Sequence, residues 1–189
     1  MKLKLLVSLA AVSFVFASLP VYANTNPAAN DTTQTAATAS QQQEDGAIVA
    51  SIVALNHNEI NAARLALHKT KNPIVIQFAK MMIAQHTESL NATLKLAHSL
   101  KIKMVNTSEV MQLQANGRAG LKKLSTLKGS AFDKAYINAM VAGHENALQL
   151  IDTLSSQTSN TTLQNHLAMT RKVVEHHLAM AKEDQVKLA

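Results

Sequence analysis

Two stretches of the chain decide its fold: residues 78–90 read FAKMMIAQHTESL, and residues 136–148 read YINAMVAGHENAL. At a constant offset they share an aromatic residue, a methionine and a histidine, namely Phe78 and Tyr136, Met82 and Met140, His86 and His144. Within each stretch these positions are four residues apart, the spacing of one face of an α-helix. Chance likeness between alanine-rich helices is the alternative, but the shared positions favour two related helical hairpins.

The chain from Glu44 onward has the same helical character. Ala, Leu, Met, Lys and Gln dominate it, and Gly and Pro are almost absent from the long segments. We predict long helices at about 45–70, 73–100, 131–156 and 161–187. Pro73 suits the first position of the second helix, because proline needs no amide partner there.

The connection between the second and third predicted helices sets the topology. Residues 101–130 contain a weaker helix near 108–127, interrupted by Gly117 and Gly120. About 18 helical residues span about 27 Å, which nearly matches the length of the bundle. The third helix can therefore run parallel to the second. We predict an all-α, ferritin-like four-helix bundle with a long helical crossover between helices 2 and 3. An up-down-up-down bundle with an extra helix is the competing topology.

The N-terminus has the parts of a secretory signal. Lys2 and Lys4 precede an apolar run at 5–19, and the small residue Ala23 follows soon after. We predict a signal peptide over 1–23, cleaved after Ala23. The run is shorter than the ~20 residues that span a membrane, which disfavours an uncleaved anchor. We therefore expect an exported protein, periplasmic or secreted, with no stable membrane span after cleavage.

Composition divides the mature chain and excludes several functions. Residues 24–43 are rich in Asn, Thr, Ala and Gln, so we predict a disordered tether before a bundle domain at 44–189. The chain has no cysteine, which excludes disulfides, zinc–thiolate sites and cysteine nucleophiles.

The formal charge of +6 becomes +4 without Lys2 and Lys4. The remaining basic residues are scattered along the chain, which argues against nucleic-acid binding.

Each predicted helix carries one strongly polar side chain in the middle of its apolar stripe. These residues are Glu59, His86, His144 and His177. The first two are equally far from the turn at Asn72, and the last two from a point near Asn160. Each pair would lie about 20 Å from its own turn, so all four could share one layer of the bundle.

A carboxylate and three imidazoles are costly to leave unpaired in an apolar interior. One divalent metal ion would satisfy all four, and nitrogen and oxygen ligands suit Zn, Fe, Mn or Cu. The alternative is a polar layer in which Glu59 pairs with one protonated histidine and water serves the rest. Met82 and Met140 lie one turn before two of the histidines, where they could be soft ligands for Cu(I) or ordinary core residues.

Four tracts together resemble an exported bacterial family called domain of unknown function four-one-four-two. They read DGAIVASIVALNHNEINAARLAL, FAKMMIAQH, AFDKAYINAMVAGHENALQLID and VVEHHLAMA, within about residues 44–183. The family's characteristic positions correspond here to Glu59, Phe78, Ala79, His86, Phe132, Asp133, Tyr136, His144 and His177. The resemblance implies a ferritin-like fold and export, and it implies no activity.

The chain departs from di-iron ferritins, which carry Glu-x-x-His on two helices. The residues three before the stripe histidines are Ile83, Val141 and Val174, so iron storage is not expected. No phosphate loop, nucleophile elbow or HExxH motif is present, and we assign no catalytic residue or organic cofactor.

The sequence favours a non-catalytic extracytoplasmic bundle that binds one metal ion and serves envelope stress or metal homeostasis. A metal-dependent redox enzyme is one alternative, and it requires an access channel to the ion. A structural or partner-binding module without metal is the other, and it requires a filled core around Glu59. The sequence names no protein partner and leaves a homo-oligomer open.

Overall fold

A computed structural model describes the backbone of residues 27–189 and the side chains from Thr38 onward. Every regular element in that part of the chain is an α-helix. The helices are α1 (Pro27–Lys69), α2 (Pro73–Ser99), α3 (Ser108–Ser125), α4 (Gly129–Gln157) and α5 (Thr161–Lys187). The all-α prediction is confirmed. The helix predicted in the crossover near 108–127 forms as α3, so the described chain has five helices where the predicted bundle has four. Within the described residues, no helix combines the length and apolar character needed to cross a bilayer.

Helix α1 differs most from the prediction, because it begins at Pro27 and not near residue 45. Residues 27–43, which were predicted to form part of a disordered tether, are helical. Alanine and glutamine have high helix propensity, and a helix already nucleated by its apolar segment extends at little cost. Gln41 also donates hydrogen bonds to Asp45 and to the Gln157 carbonyl. The predicted signal peptide at 1–23 lies outside the described residues.

Side-chain caps define the starts of three helices. Asn72 accepts a hydrogen bond from the Ile74 amide ahead of α2, and Pro73 takes the first helical position as predicted. Asn160 accepts from the amides of Thr162 and Leu163 at the start of α5. Thr107 caps α3 in the same way. These caps satisfy amides that have no partner inside the helix and so fix both tight turns of the bundle.

The five helices form two hairpins and a crossover. Helix α1 packs along α2 and α4 packs along α5, while α1 also contacts α4 and α2 contacts α5. Helix α3 lies on α1 and α4. The first apolar cluster surrounds Phe78, Phe132 and Tyr136, and the second surrounds Ile48 and Leu163. These clusters occupy opposite ends of the bundle.

Two similar hydrogen-bond sets, which we call the turn latches, join the hairpins at opposite ends. In the first latch, Thr70 donates to Asp133 of α4 and accepts from the Asn72 amide. In the second, Thr158 donates to Asp45 of α1 and accepts from the Asn160 amide. The latches place the start of α4 beside the start of α2, so these two helices run parallel. Helix α3 connects them by returning along the bundle against α1 and α4.

The latches also revise the internal repeat. Their Asp, Thr and Asn residues recur at one constant separation along the chain, which relates α1 to α4 and α2 to α5. The repeat predicted from the sequence paired α2 with α4 instead. Those two helices have matching stripes because they run in the same direction through the same two apolar clusters.

Candidate metal site

A layer of buried polar residues separates the two apolar clusters. It contains the four residues predicted from the sequence, and their exposed fractions are 9% for Glu59, 3% for His86, 1% for His144 and 0% for His177. Along α4, Met140 of the first cluster precedes the layer and Ala147 of the second follows it. Helices α1, α2, α4 and α5 therefore each contribute one side chain at the same height.

The structure brings the three histidines together. One ring nitrogen from each of His86, His144 and His177 lies within 4.8 Å of the others. The ring centroids are separated by 6.0 Å, 5.0 Å and 5.5 Å. Among the described residues, no other group of His, Asp or Glu side chains has this spacing. Glu59 lies in the same layer but outside this set of three.

Hydrogen bonds hold one nitrogen of each of the first two rings. His86 Nδ1 lies 2.9 Å from Asn56 Oδ1, and the Asn56 amide nitrogen donates to the Ile52 carbonyl. Since that amide presents its oxygen to the ring, His86 Nδ1 must be the donor. His144 Nδ1 lies 2.8 Å from the Met140 carbonyl and can only donate to it. Both tautomers are therefore fixed, with the proton on Nδ1.

The third ring is held in the opposite orientation. His177 Nε2 lies 2.7 Å from Gln85 Oε1 and donates to it. The nitrogens left over are Nε2 of His86, Nε2 of His144 and Nδ1 of His177, and all three are buried without a hydrogen-bond partner. Metal-binding histidines commonly have this arrangement, in which the second ring nitrogen donates to an oxygen that orients the ring.

Burial keeps His86 and His177 neutral near pH 7. It lowers the pKa of His86 to about 3, with help from His177 and His144. It lowers the pKa of His177 to about 4, with help from His144 and His176. Neutral imidazoles have the free lone pairs that a metal ion requires. The same burial disfavours a protonated His86 or His177 as the histidine that pairs with Glu59 in the polar-layer alternative.

Glu59 adds a buried carboxyl group beside the rings. Burial raises the pKa of Glu59, and the His144 imidazole opposes that rise. Its Oε2 atom is buried without a partner, and so is the Tyr136 hydroxyl. Burial, together with the Glu59 charge, raises the pKa of Tyr136 well above its ordinary value. The phenol is therefore protonated at neutral pH and available as a hydrogen-bond donor.

A cavity of about 450 Å³ lies between α1, α3 and α4, and Glu59 forms part of its wall. Gly143 of α4 lines it as well, and a Cβ atom at that glycine would lie 3.4 Å from Glu59 Oε1. None of the three histidines lines this cavity. Glu59 therefore lies between the cavity and the imidazole cluster, where it can contact both.

The two candidate methionine ligands lie in the core. Met82 and Met140 are buried in the first apolar cluster with Phe78 and Tyr136, and Met140 also reaches the cavity. Packing accounts for both side chains, and their use as soft ligands stays a prediction.

A further histidine, His166 of α5, is buried outside the central layer and is only 8% exposed. His166 Nε2 lies 2.9 Å from Thr93 Oγ1, and the Thr93 hydroxyl donates to the Ser89 carbonyl. The buried face of α5 is wider than one stripe because α2 packs against it. The other three histidines of the bundle helices α1 and α2, His57, His68 and His98, are exposed.

Sequence reasoning missed two residues around the site, Asn56 and Gln85, which orient two of the rings. It identified Tyr136 as a shared aromatic and family position, and the structure adds that its hydroxyl is unpartnered. Asn56 had a usable signal, since it lies three residues before Glu59 among the apolar residues of α1. Gln85 is half-buried beside His86 and had no such signal.

The sequence profile of domain of unknown function DUF4142 matches residues 30–183, most of the chain. The chain therefore belongs to the DUF4142 family, as the resemblance predicted. No curated protein sequence matches it.

A crystal structure shares the fold. It is that of a protein from Streptomyces coelicolor, assigned as secreted and named DUF305, and the TM-score is 0.58 at 12% sequence identity. The match covers 78% of this chain and 91% of the other. At this identity the likeness supports the helical architecture and says nothing of activity.

Proposed function

We propose that this DUF4142 protein binds one transition-metal ion at the centre of its bundle, through His86, His144 and His177. The observation that carries the proposal is the set of three buried, unpartnered imidazole nitrogens on rings whose other nitrogens are already hydrogen-bonded. A buried polar atom without a partner costs about 1–3 kcal/mol, and a single ion would satisfy all three.

The carboxylate of Glu59 is the proposed fourth ligand, and it would offset part of the ion's charge. Tetrahedral bonds of ~2.0–2.1 Å place ligand nitrogens about 3.4 Å apart. The observed separations, within 4.8 Å, require only a modest ring movement to reach that value. Zn, Fe, Mn and Cu all accept such ligands. Met82 and Met140 are the additional soft ligands that we propose for Cu(I).

We also propose that the protein is exported and serves envelope stress or metal homeostasis. The signal-peptide pattern at 1–23 supports export. The parallel course of α2 and α4, with α3 as a long crossover, supports a ferritin-like arrangement. The missing Glu-x-x-His carboxylates at Ile83, Val141 and Val174 favour a mononuclear site over a di-iron centre.

A metal-dependent redox enzyme is the second candidate, and one observation favours it. The cavity beside Glu59 offers a small molecule a route toward the central layer. The same cavity counts against a purely structural module, because such a module would fill the core around Glu59.

Metal content tests the proposal directly. The mature protein is purified from its native compartment for elemental analysis, and the metal-free form is titrated with Zn²⁺, Mn²⁺, Fe²⁺, Cu²⁺ and Co²⁺. We expect one ion per chain, and loss of binding in a variant carrying His86→Gln and His144→Gln. The matched control carries His57→Gln and His98→Gln, two exposed positions, and keeps its metal. Unchanged metal content in the buried double variant would refute the site.

A further inference from the structure

The cavity between α1, α3 and α4 is large enough for a small organic molecule. Its volume of about 450 Å³ falls within the range of ordinary ligand pockets. Aliphatic side chains from all three helices form most of its wall, among them Leu55, Leu113, Leu121 and Leu150. An apolar ligand body would therefore exchange water for hydrocarbon contacts.

Helix α3 is held at a fixed distance above the cavity. The Asn58 side chain of α1 donates a 3.0 Å hydrogen bond to the Leu113 carbonyl of α3. A Cβ atom at Gly117 would overlap the Asn58 amide, so only glycine allows this contact. The space beneath α3 is thus maintained by a specific bond and a close backbone approach, and the pocket exists before any ligand arrives.

The charge of the wall selects the ligand. Among the described residues that line the cavity, Glu59 is the one ionisable side chain, and it is 9% exposed. The other polar side chains are the uncharged amides of Asn58, Asn116 and Asn146. From Thr38 onward, no lysine or arginine lines the wall to receive a carboxylate or a phosphate. A cationic head group would instead meet the Glu59 carboxyl, whose Oε1 atom lies beside Gly143 in the cavity wall.

We infer that this cavity binds a small apolar amine, with the ammonium group against Glu59 and the apolar body among the leucines. The carboxyl has two oxygens, and Oε1 lies beside Gly143 in the cavity wall. An amine contacts that oxygen and leaves Oε2 for the central layer. Amine binding therefore does not require metal. Glu59 belongs to both sites, and the histidines, which do not line the cavity, distinguish them.

Three compounds that share a ring and differ in their head group test the inference: phenethylamine, phenethyl alcohol and phenylacetate. Each is titrated calorimetrically into the full-length mature protein in its metal-free form. We expect phenethylamine to bind about tenfold more tightly than the alcohol, and phenylacetate to bind more weakly than both. Equal binding of amine and acid, or no binding of the amine, would overturn the inference.

Variants distinguish recognition of the ligand's head group from binding of its apolar body in the pocket. Glu59→Gln should remove the preference for the amine over the alcohol and leave alcohol binding intact. Gly143→Leu fills the cavity and should abolish binding of both compounds. If Gly143→Leu does not fold, the Glu59→Gln comparison still decides. Amine preference that persists in Glu59→Gln contradicts the inference.

The histidine double variant distinguishes this inference from the metal proposal. His86→Gln with His144→Gln should lose metal and keep amine binding, because neither histidine lines the cavity. Loss of amine binding in that variant, with its helical content retained, would show that the cavity is not an independent site.

Discussion

The two ends of the bundle and its centre treat buried polar groups differently. At the ends, the turn latches pair Thr70 with Asp133 and Thr158 with Asp45. At the centre, five buried side-chain atoms have no partner within the part of the chain whose side chains the structure describes. They are Glu59 Oε2, His86 Nε2, Tyr136 OH, His144 Nε2 and His177 Nδ1. Buried polar atoms are normally paired, so these exceptions need a reason.

The difference shows that this fold can pair its buried polar groups. It does so at the two ends, where the pairs serve stability alone. Each latch joins a helix of one hairpin to the turn of the other, and its threonine hydroxyl also accepts a hydrogen bond from a turn amide. In the central layer, by contrast, one nitrogen of each histidine ring is hydrogen-bonded to an oxygen, and the other nitrogen has no partner. Local departures from good packing chemistry concentrate at functional sites.

Acid should destabilise the metal-free protein through the centre, and this is the largest effect we predict. The folded pKa values of His86 and His177, about 3 and about 4, lie below the ordinary 6.5. As pH falls through 6.5, the unfolded chain therefore takes up protons first and stability is lost. Together the two groups should lower the free energy of unfolding by on the order of 5 kcal/mol between pH 7 and pH 4.5.

Urea unfolding at several pH values measures this loss. Glu59 acts in the opposite sense, because its raised pKa makes the folded state take up a proton more readily on acidification. The histidine contribution is therefore the difference between the wild type and a variant carrying His86→Gln and His177→Gln, which should show a flatter profile. His68→Gln, at an exposed position, should follow the wild type. Equal slopes in all three proteins would mean that the central rings are not held neutral.

Breaking a turn latch should lower the free energy of unfolding by less than acid does, and it should leave the central layer intact. Thr70→Val keeps the shape of the side chain but leaves Asp133 and the Asn72 amide without their partner. We expect the free energy of unfolding to fall by about 1–3 kcal/mol, with metal binding unchanged. Thr153→Val is the matched control, since that exposed hydroxyl bonds only within α4 and should matter by less than about 0.5 kcal/mol. Comparable losses from both variants would remove the special role of the latch.

Much of the central layer was predictable because helix geometry is regular. The rise per residue and the positions of Asn72 and Asn160 were enough to place His86, His144 and His177 at one height. The crossover length was enough to predict parallel α2 and α4. Both inferences depend on periodic, local geometry, which a sequence displays directly.

Other features depend on contacts with adjacent helices, which the apolar stripe of a single helix does not predict. His166 is buried because α2 supplies Thr93 beside it, which widens the buried face of α5. The cavity lies beside Asn58, which bonds to the Leu113 carbonyl of α3 and packs against Gly117. The start of α1 was misplaced because composition alone treats residues 27–43 as an isolated segment, whereas a helix extends readily from an established turn.

The smallest effect that we predict is at Glu59, and it tests the contrast between the ends and the centre of the bundle. Glu59→Met replaces the unpartnered carboxyl by an apolar side chain of similar length, between the apolar residues Leu55 and Ala62 of α1. In the metal-free protein we expect the free energy of unfolding to rise by about 1 kcal/mol, because a buried desolvated group is removed. Metal affinity should fall in the same variant, since the proposed fourth ligand is lost. Denaturation with and without metal measures both changes.

Thr70→Val lowers stability at an end, so a gain in stability for Glu59→Met would show that the centre gives up stability for binding. A clear loss of metal-free stability would instead place Glu59 in the same structural role as the latches, and the proposed difference between the two regions would no longer hold.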